Sequence, residues 1–266
     1  MERKEQVGRT RNENVLNCLI PRPNAMFKLI CFPWAGSGSS YLAKWGEKMS
    51  DLIEVHAVRF AGRESRFHEQ FASDICQQAD EIIDALLPII HDQPFAFFGH
   101  SFGSCLAFVC ALHLKEKYNV EPVHMFLSSA TPFHSNYWRA QFSQINQLSE
   151  EQVKHHLLEL GGTPNHIIHN KDLLDQWLPI IQADISILQN SNLGITSLKT
   201  HSCDFICFVG ANDIIKDMEA WKDVTSGNFD LYVLPGGHFH LVDPANEDFI
   251  HKCIIKCLEL SSLVNS

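Results

Sequence analysis

The stretch that most constrains this chain is Gly99-His-Ser-Phe-Gly103, set between the apolar run Pro94–His100 and the helix-forming segment Ser101–Lys117. Strand, tight turn and helix are the setting in which G-x-S-x-G acts as an elbow, lifting the serine hydroxyl above the end of a parallel sheet. Gly99 and Gly103 fit that role, because a Cβ at either place would collide with the neighbouring strand or helix as the chain reverses. Ser104 and Ala107 keep the helix slim at the same crowded point. Ser101 is therefore expected to be a nucleophile; the plainer alternative is a glycine-rich strand exit with a solvent-facing serine.

A serine hydroxyl attacks poorly until a base takes its proton and a carboxylate holds that base in the right tautomer. On a parallel sheet of this kind the partners follow in the order Ser, Asp or Glu, His, each at the end of a later strand. Of fifteen histidines, His238 follows a late apolar run through Pro235-Gly-Gly, which makes it the expected general base. His240 is the rival, and in a two-residue period it would point the other way. Asp213 ends the run Cys203–Val209 through Gly210-Ala-Asn and is the expected acid, although a helix N-cap would use it too. The oxyanion donors are expected to be the backbone N–H groups of Phe102, directly after the nucleophile, and of Ala35 in the early loop Pro33–Ser40. No metal is expected: His238-Phe-His240 with Asp243 is a faint ligand pattern, and no other cluster supports it. No cofactor is expected either. The early loop has Gly36-x-Gly38 but lacks a third glycine or a following Gly-Lys-Ser/Thr, so it is not a nucleotide cradle.

Apolar runs at Ala25–Phe32, Ile53–Phe60, Val123–Ser129 and Phe229–Leu234 alternate with helical periodicity over Ile75–Ile90 and after Asp243-Pro244. That alternation predicts an α/β fold with a mostly parallel central sheet flanked by helices. Ser73 is the expected N-cap of the helix that begins near Ile75. Residues 131–200 break the pattern with helix signals alone, among them the capping box Ser149-Glu-Glu-Gln152, a start at Thr163-Pro164, and a helix over Leu173–Leu188 broken or kinked near Pro179. This reads as an inserted helical cap, or lid, in a single domain spanning 1–266. Its apolar side chains Trp138, Phe142, Leu157, Leu160, Trp177, Ile181 and Ile185 either line a groove for an oily substrate or only pack the cap onto the sheet.

A formal charge of −10 argues against nucleic acid or an anionic membrane surface as partner. The absence of an apolar leader and nine scattered cysteines point to the cytosol and to reduced thiols.

Five motifs in order, Phe32-Pro-Trp-Ala-Gly36, Arg59-Phe-Ala-Gly-Arg63, Gly99-His-Ser-Phe-Gly103, Gly210-Ala-Asn-Asp213 and Gly236-Gly-His238, cover nearly the whole chain and resemble the type II thioesterases. The resemblance implies a stand-alone cytosolic α/β-hydrolase that releases medium-chain fatty acids from the phosphopantetheine thioester on the acyl carrier protein domain of fatty acid synthase. It places the family's triad on Ser101, Asp213 and His238. One departure is Ser37, which separates Gly36 from Gly38 where many members have adjacent glycines. Spacing alone does not say thioester. A general carboxylesterase or lipase, or a non-catalytic acyl-binding module on the same scaffold, remain as alternatives. An acidic carrier would need a basic patch, for which Arg63 and Arg66, or Lys252 and Lys256, are the candidates.

Overall fold

The computed structural model describes residues 14–138, 150–161, 170–189 and 200–264. The expectations at Phe142, Ser149 and Thr163-Pro164 lie outside them.

The sheet has seven strands in the order β1-β3-β2-β4-β5-β6-β7. They are β1 (Leu16–Asn17), β2 (Phe27–Phe32), β3 (Ile53–Val58), β4 (Phe95–His100), β5 (His124–Ser128), β6 (Asp204–Gly210) and β7 (Phe229–Leu234). All neighbours pair in parallel except β1, which runs antiparallel to β3. β1 is too short, at two residues, to show any periodicity and is not among the expected strands.

Every residue of β2, β3, β4 and β5 is buried, as a sheet covered on both faces requires. Alternate side chains feed two cores. Ile30, Phe32, Phe95, Phe97 and Cys207 face helices α1 (Ile75–Ile90) and α2 (Phe102–Tyr118). Leu29, Cys31, Ala96, Phe98 and Phe208 face the short helical turns of residues 40–47 and, further along the sheet, the long helix Pro244–Val264.

The N-cap of α1 is Asp74, not Ser73. Its side chain accepts from the Gln77 N–H at 2.8 Å, and Gln77 Oε1 reaches back to the Ser73 N–H at 2.9 Å. Asp74 holds the extended backbone a cap needs, and its carboxylate also suits the positive end of the helix.

The strand order contains a topological switch point. Chain order runs outward from β2 to β3 and then jumps back across β2 to β4, so the connections leave the carboxyl ends of β2 and β4 in opposite directions. A crevice opens at such a switch point. The loop after β2 and the elbow after β4 leave the sheet at that point.

Within the 131–200 stretch, the described helices are α3 (Glu150–Leu160) and α4 (Lys171–Gln189). The kink expected near Pro179 does not break α4, which continues through it without the hydrogen bond that a proline cannot donate. Val153, Leu157, Leu178 and Ile181 form a small core of their own, joined by Trp177, Ile185 and, from the sheet side, Ala35. The α3 and α4 stripe thus rests on the loop that follows β2. Trp138 instead packs edge-on against Phe133, with ring centroids 4.6 Å apart, as part of the main core.

Candidate active site

The elbow is built from crowding. A Cβ on Gly103 would lie 2.0 Å from the Phe32 carbonyl oxygen, and one on Gly99 would lie 2.5 Å from the Gly103 carbonyl oxygen. No side chain fits either contact. Ser104 fastens the turn from within, its Oγ 2.7 Å from the Gly99 carbonyl and 3.0 Å from that of Ser128. Ser101 takes the strain with φ 54°, a positive value that a non-glycine residue adopts only where the surroundings impose it. Its hydroxyl then stands at the N-terminus of α2, where the helix dipole favours negative charge.

The other two side chains arrive through an equally tight approach. A Cβ on Gly210, at the end of β6, would lie 2.2 Å from the Gly237 carbonyl oxygen, so the exits of β6 and β7 touch backbone to backbone. Ala211 N–H bonds to Leu234 O and Asn212 N–H to Gly236 O, at 2.7 and 2.9 Å. Asp213 and His238, 25 residues apart, are thereby brought side by side.

His238 Nε2 lies 2.9 Å from Ser101 Oγ, and His238 Nδ1 lies 3.1 and 3.2 Å from the two Asp213 oxygens. An ionised carboxylate offers only acceptors, so the proton of a neutral His238 sits on Nδ1 and the Nε2 lone pair faces the serine hydroxyl. Burial works to raise the Asp213 carboxyl, but His238, the Ser129 hydroxyl and the Ile215 N–H outweigh it and hold the group below its ordinary value. Asp213 therefore stays charged at neutral pH.

Ser129 was not singled out from the sequence. It directly follows β5 with φ 51°, and its hydroxyl donates to Asp213 Oδ2 at 2.6 Å, so that oxygen faces both the serine and the imidazole. A serine pair closing the strand beside the one that leads to Ser101 is the signal the sequence offers. His240 sits behind this group, 3.4 Å from the hydroxyls of both Ser128 and Ser129. Burial depresses its pKa, which keeps it neutral.

Among the described residues, no hydrogen bond is donated by the backbone N–H of Phe102 or Ala35. The loop that carries Ala35 is nevertheless firmly held. Ser37 closes a turn onto Trp34 O through its N–H at 3.1 Å and its hydroxyl at 2.6 Å. Glu64 accepts from the Ser39 N–H and from the Ser39 and Ser40 hydroxyls.

The basic patch expected at Arg63 and Arg66 is not on the surface. Arg63 is 5% exposed and forms a two-pronged pair with Asp184, both contacts 2.7 Å; Arg66 is 3% exposed and bonds Glu69, Glu81 and the Arg59 carbonyl. Cys18, Glu54 and His56 lie as close together as metal ligands do, at the opposite end of the strands from Ser101. Lys28 Nζ, 2.6 Å from Glu54, already supplies the counter-charge there, and burial raises the Cys18 thiol to about 11. The cluster is an ion pair with neutral neighbours. No helix among the described residues is long and apolar enough to cross a membrane.

A mostly parallel sheet with a strained serine at the elbow after its central strand defines an α/β-hydrolase fold. The thioesterase domain model matches residues 27–257, and the chain belongs to that family. It is 56% identical over 265 residues to the S-acyl fatty acid synthase thioesterase, medium chain, of Homo sapiens, with 100% of each chain covered. The crystal structure of human thioesterase 2 superposes with a TM-score of 0.70 at 50% identity, covering 90% of this chain and 98% of that one. A thioesterase of the prodiginine pathway in Streptomyces coelicolor gives a TM-score of 0.79 at 28% identity, covering 89% and 88%.

Proposed function

We propose that this protein is a serine thioesterase that hydrolyses the acyl-phosphopantetheine thioester on the acyl carrier protein domain of fatty acid synthase and releases a free medium-chain fatty acid. The observation that carries the substrate class is the 56% identity, end to end, with a protein of that name. The chemistry rests on the hydrogen-bonded series Ser101, His238, Asp213. The reading also takes the chain as one domain, with residues 131–200 as its lid, working in the cytosol.

In this account Ser101 Oγ attacks the thioester carbonyl while His238 Nε2 takes the hydroxyl proton. Asp213 stabilises the imidazolium that forms. The N–H groups of Phe102 and Ala35 receive the oxyanion, a role for which neither is spent on a partner among the described residues. Collapse of the tetrahedral intermediate expels the pantetheine sulfur, which leaves with the proton from His238. A water, activated by the same imidazole, then attacks acyl-Ser101; the fatty acid departs and the proton returns to Oγ. Thiolates leave more readily than alkoxides, so this site has less work to do on a thioester than on an oxyester.

The test compares kcat/KM for a decanoyl thioester and for the matching oxyester. The thioester is expected to be clearly preferred. A preference for the oxyester would make the protein a carboxylesterase, and inertness to both, without labelling by a fluorophosphonate, would make it a binding module.

A further inference from the structure

The apolar stripe of α4 contains one acid. Trp177, Ile181 and Ile185 recur at helical spacing, and Asp184, seven residues after Trp177, falls on the same face. A carboxylate that is 1% exposed needs partners, and Asp184 finds them far away in sequence. Arg63 grips both of its oxygens, and Asp184 Oδ2 also accepts the Gly36 N–H at 2.8 Å. On the other side of the same residue, Trp177 Nε1–H donates to the Gly36 carbonyl at 2.7 Å. Arg63 Nη1 adds a bond to the Ser37 carbonyl at 3.1 Å.

Both peptide groups of Gly36 are thus fixed by α4. Gly36 has φ +76°, the value required at the third position of a type II turn, and a Cβ there would lie 2.9 Å from Trp177 Nε1. Ala35 is the second residue of that turn, Trp34 to Ser37. With the turn closed and Gly36 clamped on two sides, the direction of the Ala35 N–H is no longer free.

We propose that Asp184, Trp177 and Arg63 are positioning residues of the hydrolytic site, holding the Ala35 N–H where the oxyanion develops, so that the site is complete only while α4 is seated. This rests on the reading of Ser101 as nucleophile and of Ala35 as an oxyanion donor. It gives the Arg63 end of the Arg59-Phe-Ala-Gly-Arg63 motif a function. Moving α4 away would withdraw both anchors of Gly36 and leave the Arg63 guanidinium buried without its carboxylate.

The experiment uses the full chain and three readouts: kcat on a decanoyl thioester, inhibition by a decyl trifluoromethyl ketone, and binding of a decyl-pantetheine thioether. The ketone forms a tetrahedral adduct whose oxyanion needs the donors, whereas the thioether has no carbonyl. Asp184→Ala is expected to lower kcat and ketone affinity together, by about tenfold to a hundredfold, with thioether affinity held within about twofold. Trp177→Phe keeps the ring packing and removes one bond; it is expected to act in the same direction by about fivefold. Unchanged kcat in both variants, or thioether affinity falling as far as kcat, would overturn the proposal. Wild-type protein and Ser101→Ala run alongside. A wild type that neither turns over nor binds the ketone defeats the reading of the site itself, which is a different result from an active wild type whose activity survives Asp184→Ala.

Discussion

Ser101→Ala is expected to lower kcat on a decanoyl thioester by about a thousandfold or more while leaving the fold intact. The loss is large because the nucleophilic groups described beside it cannot take over. Cys105, one turn along α2, is buried with its thiol pushed up to about 12, so it offers no thiolate at neutral pH. The Ser104 hydroxyl is committed to two backbone carbonyls, and that of Ser129 to Asp213. Stability should barely change. Alanine carries a Cβ just as serine does, so the strain at φ 54° is the same, and the Ser101 N–H to Ser128 O bond of 2.8 Å survives. Steady-state kinetics with a thermal melt of the same preparation reads both quantities, and near-normal hydrolysis would remove Ser101 as nucleophile.

His238→Ala and His240→Ala should separate by orders of magnitude. Losing His238 takes away the only imidazole within 2.9 Å of Ser101 Oγ among the described residues, and kcat is expected to fall by about a thousandfold or more. Losing His240 removes contacts to two serine hydroxyls at 3.4 Å, one of which holds Asp213, so a drop of about tenfold or less is expected. Its larger effect should be on stability. His240 is 2% exposed, and emptying such a site costs about 2 kcal/mol or more. The melting temperature should therefore fall for His240→Ala more than for Ser101→Ala. If the two histidine variants exchanged kinetic effects, the base would be His240.

Much of the candidate site was legible because each side chain proposed for catalysis is attached to a punctuation mark. Ser101 lies between two glycines, Asp213 closes a strand through Gly210, and His238 follows Gly236-Gly237. At Gly99, Gly103 and Gly210 two backbones approach too closely for a Cβ, while before His238 it is the φ of +106° at Gly236 that calls for glycine; either demand is a property of the single residue. What escaped the sequence depends on partners far along the chain. Arg63 reads as a surface charge until Asp184, 121 residues later, is seen to meet it. Ser129 looks like the last residue of a strand until β5 and β6 are paired and its hydroxyl finds Asp213, 84 residues on. The shift of the α1 cap from Ser73 to Asp74 is a smaller matter, since either residue can accept from the first turn and only backbone geometry chooses.

Ser37 illustrates how a departure from the usual family pattern is absorbed. The serine costs the loop little, because its hydroxyl joins its own N–H on the Trp34 carbonyl and so reinforces the turn that presents Ala35. Gly38 is where a side chain would intrude, since a Cβ there would lie 2.7 Å from Glu64 Oε1.

During turnover the fatty acyl group is expected to pass through an ester on Ser101. Rapid acid quench of the protein turning over a decanoyl thioester, followed by peptide mass spectrometry, tests it directly. A decanoyl adduct on the peptide carrying Ser101, formed and consumed within the time of turnover, is the predicted result. Turnover with no acylated peptide at any quench time, or acylation of a different residue at a competent rate, would contradict it.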